Sequence, residues 1–198
     1  MDRRDAIKNT ALLVGGVLAG PSLLSILQSC TRVDRLSWQP QFLTDDQARF
    51  ISAFVDTLLP ATDTPGALDV NADIFIDRFF ENVYDDAAQQ QASNDIDELN
   101  VGAVAKYGDT FLNLNSEDRK NYLADREKES GKYRKSVWGT PVGDEIEPPG
   151  FYKSLKSLAL WAYFSSEKVG EEILVYDPVP GTYSGCIPLS DVGRSWSL

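Results

Sequence analysis

Thr44-Asp45-Asp46-Gln47-Ala48-Arg49-Phe50-Ile51-Ser52-Ala53-Phe54-Val55-Asp56-Thr57-Leu58-Leu59-Pro60 decides the class of fold. A threonine followed three residues on by glutamine has capping-box form, in which each side chain satisfies the other residue's backbone N–H. Behind it Ala48, Ile51, Phe54/Val55 and Leu58/Leu59 recur at helical spacing, and Pro60 stops the run. An amphipathic helix is predicted here. Thr62-Asp63-Thr64-Pro65-Gly66-Ala67 is a turn by its chemistry, with Pro65 and Gly66 at its centre.

Outward along the chain, a second helix fits Ala72 to about Gln90, with Ile76, Phe79/Phe80 and Val83/Tyr84 on one face. A third fits Ile96 to Tyr107 through Ile96, Leu99, Ala103 and Tyr107. Asn115 or Ser116 caps a fourth, strongly charged helix over Glu117 to Glu129. Residues 131–150, with Gly131, Gly150 and Trp138, form a long connection, of the kind that is more often functional than idle. Phe151 to Ser166 is helical again, and Leu155, Leu158/Ala159, Trp161 and Ala162 make it the most apolar segment after the N-terminal region. Its aromatic stripe reads as core rather than binding surface.

The tail from Tyr176 is different. Three prolines (Pro178, Pro180, Pro188) and two glycines (Gly181, Gly185) exclude a regular helix, yet the stretch is aromatic and apolar as far as Trp196 and Leu198. A solvated linker is not so apolar. Such a tail wraps its own helices or lies on another protein. The expected fold is all-α: a small multi-helix domain with long loops and an extended, non-regular C-terminal tail. No internal repeat points to a solenoid.

Composition then narrows the function. The chain has no histidine, two cysteines (Cys30 and Cys186) and one methionine, Met1. The usual general base and the commonest metal ligand are therefore missing, and neither a four-ligand zinc site nor a C-x-x-C-H haem attachment can be built. Glycine-rich phosphate loops are also absent. The formal charge of −11 repels phosphate backbones, so nucleic acid is not an expected partner.

Residues 1–29 read as an export signal. A short polar start with Arg3, Arg4 and Lys8 precedes an apolar run from Ala11 to Ala19, then Gly20-Pro21, then a second run from Leu23 to Leu27. The apolar part is short for a spanning helix, which leaves an uncleaved N-terminal anchor as the competing reading. Arg3-Arg4 with Ile7 and Lys8 resembles a twin-arginine signal, departing from it at Asp2 and Ala6. Leu27-Gln28-Ser29-Cys30 resembles a lipobox, which implies lipidation of Cys30; a plain cysteine near a conventional cleavage site is the alternative. The expected organisation is a signal over 1–29, a tether over 30–43, and one helical domain over 44–198 that includes the tail from about 176.

Three ordered segments carry a further resemblance. They are Leu58-Leu59-Pro60-Ala61-Thr62-Asp63-Thr64-Pro65-Gly66-Ala67; Phe151-Tyr152-Lys153-Ser154-Leu155-Lys156 running into Tyr163-Phe164-Ser165-Ser166-Glu167; and Tyr176 through Val179-Pro180-Gly181 to Gly185-Cys186-Ile187-Pro188-Leu189, with Val192-Gly193-Arg194-Ser195-Trp196. In these the chain resembles the gluconate 2-dehydrogenase subunit 3 family, small subunits of membrane-bound flavin dehydrogenases. Trp161-Ala162 departs from the family pattern, where a polar residue and glycine are expected.

The resemblance implies a division of labour. A large GMC-type subunit holds FAD and oxidises the sugar, a cytochrome c subunit often carries electrons onward, and any haem or iron–sulfur group belongs to such partners. The small subunit has no cofactor of its own, binds the large one and escorts it through the twin-arginine route. Location at the periplasmic face of a bacterial membrane, held by the lipid on Cys30, follows from the same reading. Pro65, Gly66, Tyr176, Pro180, Gly181, Tyr183, Cys186 and Trp196 are the candidate contacts with the large subunit. Cys186 is expected to be either a buried thiol or one half of an intersubunit disulfide. The rival reading is a stand-alone periplasmic lipoprotein whose pocket is lined by residues such as Trp138, Trp161 and Tyr183.

Overall fold

A computed structural model describes residues 38–130 and 150–175, the backbone of 136–137 and 140–141, and 181, 186 and 188–195 (189 and 192 as backbone alone). The expected all-α class holds. The helices are α1 (Asp45–Leu58), α2 (Ala72–Val83), α3 (Asp86–Tyr107), α4 (Ser116–Glu129), α5 (Phe151–Phe164), α6 (Glu167–Glu172) and a single turn, α7 (Leu189–Val192). Short 3-10 turns at Ala67–Val70 and Phe111–Asn113 lead into α2 and α4. In the long connection, Ser136–Val137 and Thr140–Pro141 pair antiparallel over two residues each.

α1 is the central element, and its sequence explains why. The capping box forms as predicted: the Gln47 N–H donates to Thr44 Oγ1 and the Thr44 N–H to Gln47 Oε1, both at 3.3 Å. From Gln47 through Val55 every residue except Arg49 is buried, so helices pack around almost its whole circumference. Phe50 meets Phe111 with ring centroids 5.2 Å apart, and Phe54 meets Tyr152 of α5 edge-on at 6.1 Å. Each such fully buried side chain stabilises the fold by roughly 2 kcal/mol.

Three predicted boundaries move. The second helix was expected to run to about Gln90 and the third to start at Ile96; instead α2 ends at Val83, and α3 begins at Asp86 and continues unbroken to Tyr107. The cause is a polar competitor. Asp85 caps α3 by accepting from the Ala88 N–H at 2.8 Å, which makes this point a helix start. At α4 the cap is Asn115, which accepts from the Asp118 N–H at 2.9 Å. Ser166, expected to end the fifth helix, instead caps α6 through the Val169 N–H.

α4 docks on α3 by close approach. The Tyr122 hydroxyl donates to the Leu99 carbonyl, and a side chain at Gly102 would stand 2.6 Å from that hydroxyl. Burial raises the Tyr122 pKa above the ordinary phenol value. Arg119 donates from Nε to the Phe111 carbonyl at 3.0 Å and from its terminal nitrogen to the Leu112 carbonyl, closing the turn before α4.

Candidate docking face

α2 reads Ala72-Asp73-Ile74-Phe75-Ile76-Asp77-Arg78-Phe79-Phe80-Glu81-Asn82-Val83, and it carries more apolar surface than the described residues cover. Ala72, Ile76 and Phe80, four residues apart, are buried against α1 and α5. Beside them runs a second row at the same spacing: Phe75, Phe79 and Val83. This row is only partly covered. Trp161 of α5 reaches over it, edge-on to Phe75 at 5.5 Å and to Phe79 at 5.7 Å. The sequence puts Ile76, Phe79/Phe80 and Val83/Tyr84 on one face and Trp161 in a core stripe. Ile76 and Phe80 are buried and Phe79 and Tyr84 pack against the core, but the structure corrects the other two: Trp161 is 55 % exposed and Val83 61 %.

Together Asn71, Ile74, Phe75, Arg78, Phe79, Val83 and Trp161 line an open groove of about 570 Å³. Arg78 is its single charged side chain among the described residues. It is exposed and forms no ion pair among the described residues, and four helix residues on, Asn82 bonds only its backbone carbonyl. Nearby, burial lifts the Tyr84 hydroxyl pKa, as the Phe79 and Phe80 rings pack around it. Phe164, on α5 beyond Trp161, is half exposed as well. Aromatic and arginine side chains on one surface are the composition of a protein-binding face.

The loop between α1 and α2 is held from the inside. The Tyr163 hydroxyl of α5 donates to the Pro65 carbonyl at 2.8 Å, and the Ala67 N–H returns to the Leu59 carbonyl at 2.9 Å. Gly66 is buried, and its N–H donates to Asp69 Oδ2 at 2.8 Å. A Cβ on Gly66 would lie 2.6 Å from the Ala61 backbone nitrogen. Pro65 and Gly66 thus have work inside the domain, while Ala61, Thr62 and Asp63 form the loop's exposed rim.

Of the other residues singled out from the sequence, Gly181 and Cys186 are exposed. Arg3, Arg4, Lys8, Cys30, Trp138, Tyr176, Pro180, Tyr183 and Trp196 lie outside the described residues. Sequence reasoning missed Phe75, Arg78 and Asp77. The four-residue spacing of Phe75, Phe79 and Val83, parallel to Ala72, Ile76 and Phe80, was the signal for the first of these.

Two buried carboxylates of α2, Asp73 and Asp77, are hydrogen-bonded. Ser52 Oγ donates to Asp73 Oδ2 at 2.7 Å between α1 and α2, and Asp77 takes three backbone N–H groups. No group of three or more His, Cys, Asp or Glu side chains that could hold a metal occurs among the described residues. No described helix is long and apolar enough to cross a membrane.

The fold and this surface define a small helical domain with an outward-facing aromatic surface of the kind that binds another protein. Residues 45–181, more than half of the chain, match the family model for gluconate 2-dehydrogenase subunit 3, and the chain belongs to that family. Membership implies a small subunit of a dehydrogenase complex, which partners with other gluconate 2-dehydrogenase subunits. No curated protein and no solved structure matched the chain.

Proposed function

We propose that this chain is the non-catalytic small subunit that binds, stabilises and escorts a flavin-dependent, GMC-type sugar or alcohol dehydrogenase subunit. The observation that carries the reading is the half-exposed Trp161 face on a domain of this family. A domain that works alone gains nothing by leaving Trp161, Phe164 and Val83 open, whereas a subunit that is completed by its partner does. FAD and the chemistry belong to the large subunit, and a cytochrome c subunit is the onward electron carrier. Arg3, Arg4 and Lys8 address the pair to the twin-arginine route, and a lipid on Cys30 holds it at the periplasmic face of the membrane. The apolar tail, through Tyr176, Pro180, Gly181, Tyr183, Cys186 and Trp196, adds contacts with the large subunit, as does the rim of the Pro65-Gly66 loop.

The experiment is purification of this chain from membranes under mild detergent. Flavin absorbance and a large second polypeptide are expected to elute with it, while the chain produced alone carries no flavin and oxidises no sugar. A chain that emerges by itself, from cells that make the flavoprotein, refutes the reading.

A further inference from the structure

The groove between α2 and α5 has a chemistry that selects its occupant, and this inference rests on the subunit reading above. Its floor and walls are Ile74, Phe75, Phe79, Val83 and Trp161, with Arg78 set among them. Row spacing matters first. Phe75, Phe79 and Val83 stand on successive turns of α2 and present a ridge about two turns long, and Trp161 forms the opposite wall from α5. A straight ridge beside a raised aromatic wall matches one apolar helix face, whose residues at i, i+3, i+4 and i+7 drop between them.

Charge decides the rest. The chain carries −11 overall, yet the only charged side chain lining this groove is a cation without an ion-pair partner among the described residues. Covering Arg78 with a purely apolar segment would strip water from a guanidinium and return nothing. A covering helix must therefore bring a carboxylate within reach of it, where a bidentate pair can form. A second copy of this chain is a poor occupant, because two bodies of charge −11 repel before any contact is made.

We infer that the α2–α5 groove seats an amphipathic helix of the large flavoprotein subunit, its apolar face on Phe75, Phe79 and Trp161 and a carboxylate on Arg78. Tryptophan and arginine at the centre of such a contact carry most of its strength.

The test compares the intact complex carrying wild-type chain with complexes carrying Trp161→Ala, Arg78→Ala, Arg78→Glu and, as a control, Val101→Ser on α3. Val101 is 64 % exposed and outside the groove. Arg78 is exposed and makes no side-chain bond that the fold needs, so its variants keep the helical circular-dichroism signal and melting temperature of the wild type. Trp161→Ala and Arg78→Glu are expected to weaken the subunit affinity about tenfold or more, with Val101→Ser unchanged. Wild-type affinity falls as salt rises, and Arg78→Ala flattens that dependence. Wild-type affinity in both groove variants overturns the assignment while leaving the subunit reading standing. Self-association of the wild type that Trp161→Ala abolishes overturns it in favour of a second copy. If the wild type holds no flavoprotein at all, the subunit reading fails and this inference fails with it.

Discussion

The carboxylate of Asp77, buried on α2, accepts the backbone N–H of Leu43 at 2.9 Å, thirty-four residues earlier in the chain. The same carboxylate takes the N–H groups of Gln41 at 2.8 Å and Phe42 at 3.1 Å, and the Phe42 ring lies edge-on to Phe80. Three successive donors that no helix or sheet would satisfy are thus closed by one side chain. This clamp fixes where the segment leading from the N-terminal region meets the domain, just ahead of the Thr44 cap.

Asp77→Ala is expected to be among the costliest single changes outside the apolar core. It strands three backbone donors, that of Leu43 in a buried setting, for a loss of about 3 kcal/mol. Asp77→Asn keeps an acceptor and should lose less. Urea titrations followed by circular dichroism measure both; an alanine variant within error of the wild type would show that water replaces the carboxylate without cost.

Gly66→Ala should destabilise by about 1–3 kcal/mol, because the added methyl meets the Ala61 backbone rather than a side chain that can swing away. Gly108→Ala tests the alternative cause. Gly108 has φ +79° and open space around it, so its loss reflects backbone conformation alone. Equal thermal shifts for a Gly66 variant and an exposed helix variant such as Ser157→Ala would contradict the close contact.

The Lys106–Asp125 pair between α3 and α4 gives a signed pH dependence. Hydrogen bonds from Lys106 and then Lys128 hold the Asp125 carboxyl below the usual carboxylate range, and the Asp125 bond raises Lys106 above the usual lysine value. A depressed carboxyl adds stability above its unfolded pKa and loses it as pH falls through the folded one. The raised lysine contributes fully below its unfolded pKa and loses that contribution only as pH rises through its folded value. Asp125→Asn should therefore melt slightly below the wild type at neutral pH, with the two curves converging below about pH 4. A gap that stays constant or widens toward acid would rule out the bridge as its source.

Much of this was legible in the chain. The Thr44–Gln47 box, the Pro60 stop and the 3.6-residue spacing of Ile51, Phe54 and Val55 gave α1 because local chemistry alone fixes a capped amphipathic helix. The α2–α3 break was missed because Asp85 caps without a glutamate or glutamine three residues on, so only its side-chain bond to Ala88 marks the boundary. Trp161 was placed in the core because periodicity reports which residues share a face. It does not report how far a neighbouring helix extends to cover that face, and α2 reaches Trp161 only with its outer row. Asp77 was invisible for a related reason: its partners lie thirty-four to thirty-six residues away, in a segment without periodicity.

A lipid on Cys30 predicts that Cys30→Ser yields chain that is released from membranes or left unprocessed. Acyl chains supply about 0.8 kcal/mol of membrane binding per buried CH₂, and no described helix replaces them. Mass spectrometry of the mature N-terminus reads this directly. An unmodified terminus at another residue would remove the lipid anchor from the account.

If one chain docks and exports another, the location of the flavoprotein reads it out. In cells carrying Arg3→Lys with Arg4→Lys, dehydrogenase activity and bound flavin are assayed separately in cytoplasmic, periplasmic and membrane fractions. The large subunit is expected to stay in the cytoplasm together with this chain, folded and flavin-loaded. Unchanged amounts of the large subunit at the membrane, with only this chain retained inside, would contradict it.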